Sequence, residues 1–255
     1  MRLTFLGTGT SVGIPQIGCQ CAVCNSEDKR DKRLRPSALL ECGNRRILID
    51  IGPDFRQQML KYRVRHLDGI LLTHSHADHI LGIDDLRTLY RSMGKSVVIY
   101  GTRESFETIR RIFFYAFLPG RSNASRPVFD MVEFASETFS VAGVPVTPIP
   151  IEHGDILING FRIGKLAYIT DGNRIPAKSY PLLKDLDVLV INALRRKYHP
   201  SHFTLDDALN EIKRVAPNRA FITHIGHDLS HGRFSFELNP SAYLAYDGLT
   251  IDVEE

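Results

Sequence analysis

Little in the bulk properties of this chain points to a partner. Its 32 basic and 29 acidic residues nearly cancel, leaving a formal net charge of +3. That gives no global drive toward nucleic acid or membrane, although it leaves room for local basic patches. No apolar run approaches the roughly 18 to 20 residues needed to cross a bilayer. The N-terminus, MRLTFLGTGTSVG, carries a single basic residue and reads as a strand rather than a signal peptide, so a cytoplasmic location is expected. Cysteine is scarce: four residues, three of them clustered at 19, 21 and 24, which is not the pattern of a secreted disulfide framework. Repeats, low-complexity tracts and internal linkers are absent. The apolar fraction of 43% is ordinary for a folded globular protein, and residues 1–255 read as a single domain with a small cysteine-bearing loop at 18–25.

The periodicities give a mixed α/β chain. RLTFL is a short strand that runs into a Gly/Thr/Ser loop at 7–13. SALLEC and RRILIDIG flank Gly43-Asn44 as a hairpin. DGILLTH and KSVVIYG are continuous apolar strands of the buried kind. Between them, Ile80, Ile83, Leu86, Leu89, Tyr90 and Met93 recur at helical spacing. Residues 103–130 are less regular. Two more hairpins follow, with turns expected near Ala142-Gly143 and Asn159-Gly160. The last third alternates: a helix near 178–186, strand DVLVINAL, helix TLDDALNEIKRVA, strand RAFITHIG and a final strand GLTIDVE. Two packed sheets with helices outside is the expected arrangement.

The chemistry starts at LTHSHADHILG, residues 72–82, where His74, His76, Asp78 and His79 fall within six positions of a chain with ten histidines. The strand GILLT should end near Thr73. His74 and His76 then lie two apart in extended backbone, which aims both imidazoles at one point. Asp78 and His79 open the next helix and face a second point nearby. Imidazole and carboxylate suit zinc, manganese or iron at a hydrolytic centre. A helix N-terminus does not favour a cation, so carboxylate ligands must offset its dipole. A metal pair needs more ligands than these four. His153 ends VTPIPIEHG, Asp171 ends KLAYITDG and His224 ends RAFITHIG. All three repeat one layout, an apolar strand delivering a ligand at its tip.

With these residues in place, the chain resembles the metallo-β-lactamase superfamily of binuclear hydrolases. The resemblance runs from FLGTGTS to THIGH and includes ILIDIGPDF. It implies an αβ/βα sandwich, two facing mixed β-sheets with helices on both outer faces. It further implies that His74, His76 and His153 bind one divalent metal, that Asp78, His79 and His224 bind the other, and that Asp171 bridges them. Asp78, Asp171 and a bridging hydroxide would cancel most of the charge of two divalent ions. About one positive charge remains to suit an anionic substrate such as a phosphodiester. The metals alone do not decide among a lactam, a thioester and an RNA backbone.

The cysteines narrow the choice. Cys19, Cys21 and Cys24 form a CxCxxC cluster, and three thiolates need a fourth partner for a tetrahedral structural zinc. His227, three residues beyond His224, offers one. Cys42 reads as core. The CxCxxC and HxxH combination resembles the PhnP-type phosphoribosyl cyclic phosphate phosphodiesterases, in which a structural zinc sits beside a catalytic pair, often manganese. GIPQIGCQCAVC also resembles a pyrroloquinoline quinone biosynthesis protein, but the full HxHxDH set favours the phosphodiesterase. YHPSHFTLDDAL resembles a motif of this subgroup and of ribonuclease Z, in which a histidine outside the metal shell aids phosphodiester cleavage. By position that is His202, with His199 second and Thr204 as the N-cap of the following helix. An imidazole near pKa 6.5 can protonate a leaving alkoxide.

The expectation is therefore a binuclear phosphodiesterase with two active-site metals, manganese or zinc, and one structural zinc. A metal-bridging hydroxide would attack a small cyclic phosphodiester, with Asp78 and His202 as the groups that handle protons near the leaving group. The alternative is a ribonuclease Z-like endonuclease. That enzyme carries a long basic arm between the ligands matching His153 and Asp171, where this chain has only residues 154–170. A non-catalytic accessory protein is a third class, which the complete ligand set opposes. The expected partner is a small phosphodiester, not nucleic acid or membrane, and a homodimer is left open. Arg121 and Arg126 are candidates to meet a substrate phosphate. His66 and His231 read as surface or structural.

Overall fold

A computed structural model of the chain describes residues 1–119, 126–234 and 241–254. Its first strands are β1 (Arg2–Gly7), β2 (Ser37–Cys42), β3 (Arg45–Ile49), β4 (Gly69–Leu71), β5 (Val97–Gly101) and β6 (Phe129–Glu133). Then come β7 (Phe139–Val141), β8 (Val144–His153), β9 (Ile156–Ile163), β10 (Leu166–Tyr168), β11 (Val188–Asn192), β12 (Arg219–Thr223), β13 (Ala242–Leu244) and β14 (Thr250–Asp252). They make two sheets, ordered β14-β1-β2-β3-β4-β5-β6 and β13-β12-β11-β10-β9-β8-β7. Strands β3 to β6 run parallel, as do β10 to β13.

The alternation of side chains explains the layering. Successive residues of a strand point to opposite faces. Ile47 and Ile49 of β3 enter the core between the sheets, with Leu3, Phe5, Val188, Val190 and Phe221. Leu48, between them, faces the other way and packs with Phe55, Leu86, Leu89, Phe106 and Ile109. These come from the helices α1 (Phe55–Lys61), α3 (Leu86–Met93) and α4 (Arg103–Ile112), with the four-residue α2 (Ala77–Ile80) between α1 and α3. Leu189 and Ile191 likewise turn outward onto Leu205, Ala208 and Ile212 of α5 (Leu205–Val215). Strands covered on both faces must be apolar throughout, which is why their runs are continuous. The result is the αβ/βα sandwich.

Several local expectations differ from the structure. The helical pattern at 80–93 breaks into α2, a 3-10 segment at Leu81–Asp85 and α3. Gly82 lies against the main chain of Gly52, where an added Cβ would come within 2.2 Å of the Gly52 carbonyl. Ile51 also takes the main-chain partners a continuous helix would use: its amide donates to His79 and its carbonyl accepts from Gly82. Asn159-Gly160 is not a turn but the middle of β9, and the hairpin turns at Gly154-Asp155. Gly160 is there because the Tyr168 carbonyl passes 2.7 Å from where its Cβ would stand. The expected helix at 178–186 is a 3-10 segment, Ala177–Leu183, with Pro181 inside it. Strands β6 and β13 were not expected. Arg121 lies outside the described residues. Arg126 Nη1 donates to the Ala116 and Leu118 carbonyls. Among the described residues no helix is long and apolar enough to cross a membrane.

Candidate metal centre

The C-terminal ends of parallel strands converge on one rim of the sandwich, where α/β sheets usually place their ligand sites. β4 ends just before His74, β10 just before Asp171 and β12 at His224, while β8 ends on His153. Asp171 and His224 hold left-handed φ values of 60° and 53°, as does Asp50 after β3 at 61°. That conformation disfavours any side chain beyond glycine, by roughly 1–2 kcal/mol. Three such residues at one rim mark a place where the aim of the side chain outweighs local comfort.

The side chains gather into adjoining groups. His74, His76 and His153 bring a nitrogen each within 4.8 Å of one another, and Asp78, His79, Asp171 and His224 bring carboxylate oxygens and ring nitrogens equally close. Within the second group Asp171 Oδ1 is 3.2 Å from His224 Nε2 and its Oδ2 is 3.3 Å from His79 Nε2. It also groups with His153 and His202. Neighbours fix the ligand tautomers. His153 Nδ1–H donates to the Ser201 carbonyl at 2.7 Å, and His79 Nδ1–H donates to Asp50 Oδ2 at 2.7 Å. Each therefore turns Nε2 inward, as a metal-binding imidazole does. Within this buried site His74 Nε2 has no hydrogen-bond partner, and His79 Nε2 and Asp78 Oδ2 face each other at 3.1 Å without hydrogen-bond geometry. Leaving such atoms unpaired costs about 1–3 kcal/mol each. A cation relieves that cost, so the donor set fits divalent metal ions.

The electrostatics point the same way. Burial works against a charge on His79, but Asp78, Asp50 and Asp171 around it hold its pKa well above the usual value. Burial also opposes ionisation of Asp171, yet His224 and His79 keep it well below the carboxylate range. Negative charge in this pocket draws in a proton where no metal is bound, so metal and proton compete for one place.

His202 stacks beside this group, its ring 4.8 Å from that of His153 and 5.0 Å from that of His224. Its Nδ1 is buried without a partner, 3.9 Å from Asp171 Oδ1. Burial and then the nearby His224 push its pKa down to about 3, well below the 6.5 expected of a free imidazole. At neutral pH it is the uncharged imidazole, with one N–H, unless added negative charge brings a second proton.

The cysteine loop is a second group. Cys19, Cys21 and Cys24 lie 3.2, 3.5 and 3.7 Å from His227 Nδ1. The Cys24 amide, donating to Cys21 Sγ, draws the Cys21 thiol down to about 7, which favours the thiolate that metals bind. Ile225 Nα donates to the Thr8 carbonyl at 2.9 Å and so ties down the segment shared by His224 and His227. Thr8 is held in turn by Asp247 and by the buried Arg33. Cys42 is half-buried and packs against the core between the sheets.

Asp50 is the residue that sequence reasoning passed over. It ends the apolar strand β3 as Asp171 follows β10, so the same layout was there to find it. Fully buried, it accepts from His79 and from both the amide and hydroxyl of Thr73. His66 is half-exposed beside Asp68. His231 is structural, its amide donating to buried Asp31.

The chain belongs to the metallo-β-lactamase superfamily of metal-dependent hydrolases: the beta-lactamase superfamily domain model matches residues 45–225. Within it the chain is PhnP-like. It is 39% identical to a diphosphatase from the PhnP family, with a TM-score of 0.93 over 99% of this chain and 98% of that one. A protein of Porphyromonas gingivalis named octanoyltransferase is 39% identical over all of this chain but only 52% of its own length. A ribonuclease Z of Bradyrhizobium diazoefficiens is 31% identical over 62% of this chain and 48% of its own length. The chain thus spans about half the length of these curated relatives. Zinc-bound PqqB of Methylobacterium extorquens shares the fold, with a TM-score of 0.79 at 21% identity over 99% of this chain and all of that one.

Proposed function

We propose that the protein hydrolyses a small phosphodiester, a cyclic one above all, at two metal ions held around Asp171. The observation that carries this reading is the geometry of Asp171, whose two carboxylate oxygens face His224 and His79 while His153 and His202 group with it. A pair of divalent cations in these clusters supplies Lewis acidity toward a phosphoryl oxygen and makes water a nucleophile at neutral pH. The chain's own residues do the rest. Asp50 and Ser201 hold the His79 and His153 rings in position. Asp78 lies against His79 and anchors the second ligand group. His202, neutral in its pocket, takes up a proton as the substrate's phosphate brings negative charge beside it. It then gives that proton to the departing alkoxide.

A second reading, cleavage of a diphosphate linkage, has support from the PhnP-family diphosphatase. The ribonuclease Z-like alternative has less. Residues 154–170 form the tip of the β8–β9 hairpin, then β9 and all of β10, which leaves no room for a long arm. Metal-loaded protein offered bis(p-nitrophenyl) phosphate, a cyclic ribose phosphate, a dinucleoside diphosphate and precursor tRNA tests these readings. The expected order is cyclic phosphate first and precursor tRNA last. Fast, specific tRNA 3′ cleavage would overturn it.

A further inference from the structure

The ligand groups lie between two cavities of opposite character. On one side, a cavity of about 320 Å³ is lined by Thr10, Gln16, Arg195, His199, His202 and His224. It is polar, and it contains the histidine that serves the leaving group. On the other, a cleft of about 590 Å³ has His74 and His76 in its wall. Phe134, Pro150 and Ile158 also line it, with Ile156 and Leu157 at the hairpin tip and Lys178 and Glu104 as its charged groups.

The apolar residues of this cleft are of two kinds. Phe134 is fixed, stacked 4.9 Å from Phe139 and edge-on to Phe161. Ile156 and Leu157 are 46% and 62% exposed and serve no core. Their hairpin is nonetheless held in place. Gly154 Nα donates to Asn173 Oδ1 at 2.9 Å, and Glu152 pairs with Arg174. Solvent-facing apolar side chains on a braced hairpin, beside two metal ligands, are placed to cover an apolar part of a ligand.

We infer that this cleft is the specificity site for the ester group that stays on the phosphate, and that this group is bulky and apolar, as a ring is. The inference rests on the phosphodiesterase reading, to which it adds an orientation. Water adds to phosphorus, and the P–O bond on the His202 side breaks. From an acyclic diester the alcohol leaves through the polar cavity with the proton from His202, and the ring in the cleft departs with the phosphate as a monoester. In a cyclic diester the freed hydroxyl takes that proton and stays tethered, so hydroxyl, phosphate and ring depart together as one monoester.

Binding and turnover test it separately. Calorimetry on manganese- or zinc-loaded protein compares 2-naphthyl phosphate with methyl phosphate, both products of the expected kind. Burying a bicyclic ring should tighten binding by about 10-fold or more. In Leu157→Asp and Ile156→Asp, whose side chains are exposed and whose melting temperatures should stay near the wild type, the preference should fall toward parity. Equal affinities in the wild type would overturn the inference, as would a preference that survives both substitutions. With 2-naphthyl and methyl esters of p-nitrophenyl phosphate, the naphthyl ester should show the lower KM. Naphthyl preference in binding with no turnover of either ester supports the cleft and sinks the phosphodiesterase reading. Turnover of both with equal binding and equal KM sinks the cleft alone.

Discussion

Asp50 accepts a 2.7 Å hydrogen bond from His79 Nδ1, with both side chains fully closed to solvent. The bond fixes which nitrogen of His79 faces the candidate metal pair, and the carboxylate makes that nitrogen a stronger donor. The Asp50 carboxylate bonds His79 and Thr73, so it acts through the His79 ring as a positioning residue. Asp50→Asn keeps the shape and removes the charge. Metal affinity at the second position should fall about 10- to 100-fold, measured by competition with a fluorescent chelator. Unchanged affinity would mean that the bond only fills a buried space.

His202 and Asp78 can be told apart by what they hold. His202→Ala should keep the active-site metals and lose about 10² to 10⁴-fold in turnover with poor leaving groups. With p-nitrophenolate, which leaves without help, the loss should be much smaller. Asp78→Ala should lose metal from the second position and fail with both substrate types. If His202→Ala slows good and poor leaving groups equally, the histidine positions the phosphate. If it strips metal, its buried Nδ1 belongs to the ligand set with His153 and Asp171.

The cysteine group makes its own prediction. Cys21→Ser should release about one equivalent of zinc, read by elemental analysis, and lower the melting temperature. Because His227 and His224 are three residues apart on one segment held by Thr8, the catalytic metals should also be held less tightly. Full zinc content in the variant would exclude these thiols as ligands.

Most of the site could be read from the sequence because one rule generates it: an apolar strand covered on both faces ends at a common rim and presents a polar tip. His74, His153, Asp171 and His224 all follow the rule. Asp50 follows it too, but its partner His79 is 29 residues away, and nothing local to Asp50 shows that pairing. The misread elements share one cause, which is packing that overrides local pattern. Gly82 and Gly160 read as helix interior and turn, yet each is a glycine because another main chain passes too close for a Cβ. The lowered pKa of His202 comes from burial and then from the nearby His224 ring, surroundings that only the fold brings together.

Stability should fall in mild acid, in part through His231. Burial, then the charge of Arg33, pushes its pKa from 6.5 down to about 4. Between those two values the unfolded chain binds more protons than the folded one. Stability is therefore lost as pH drops through that window and is kept above it. In His231→Gln the loss of melting temperature between pH 7 and pH 5 should be smaller than in the wild type. An equal loss would place the acid sensitivity elsewhere.

On the proposed reading, two metal ions around Asp171 act together on a phosphodiester. Protein stripped of its active-site metals by a mild chelator, with any cysteine-bound zinc retained, can be titrated with manganese while bis(p-nitrophenyl) phosphate hydrolysis is followed. Activity should stay low through the first equivalent and rise to its plateau at the second. A plateau at one equivalent, or no hydrolysis at two, would contradict that reading.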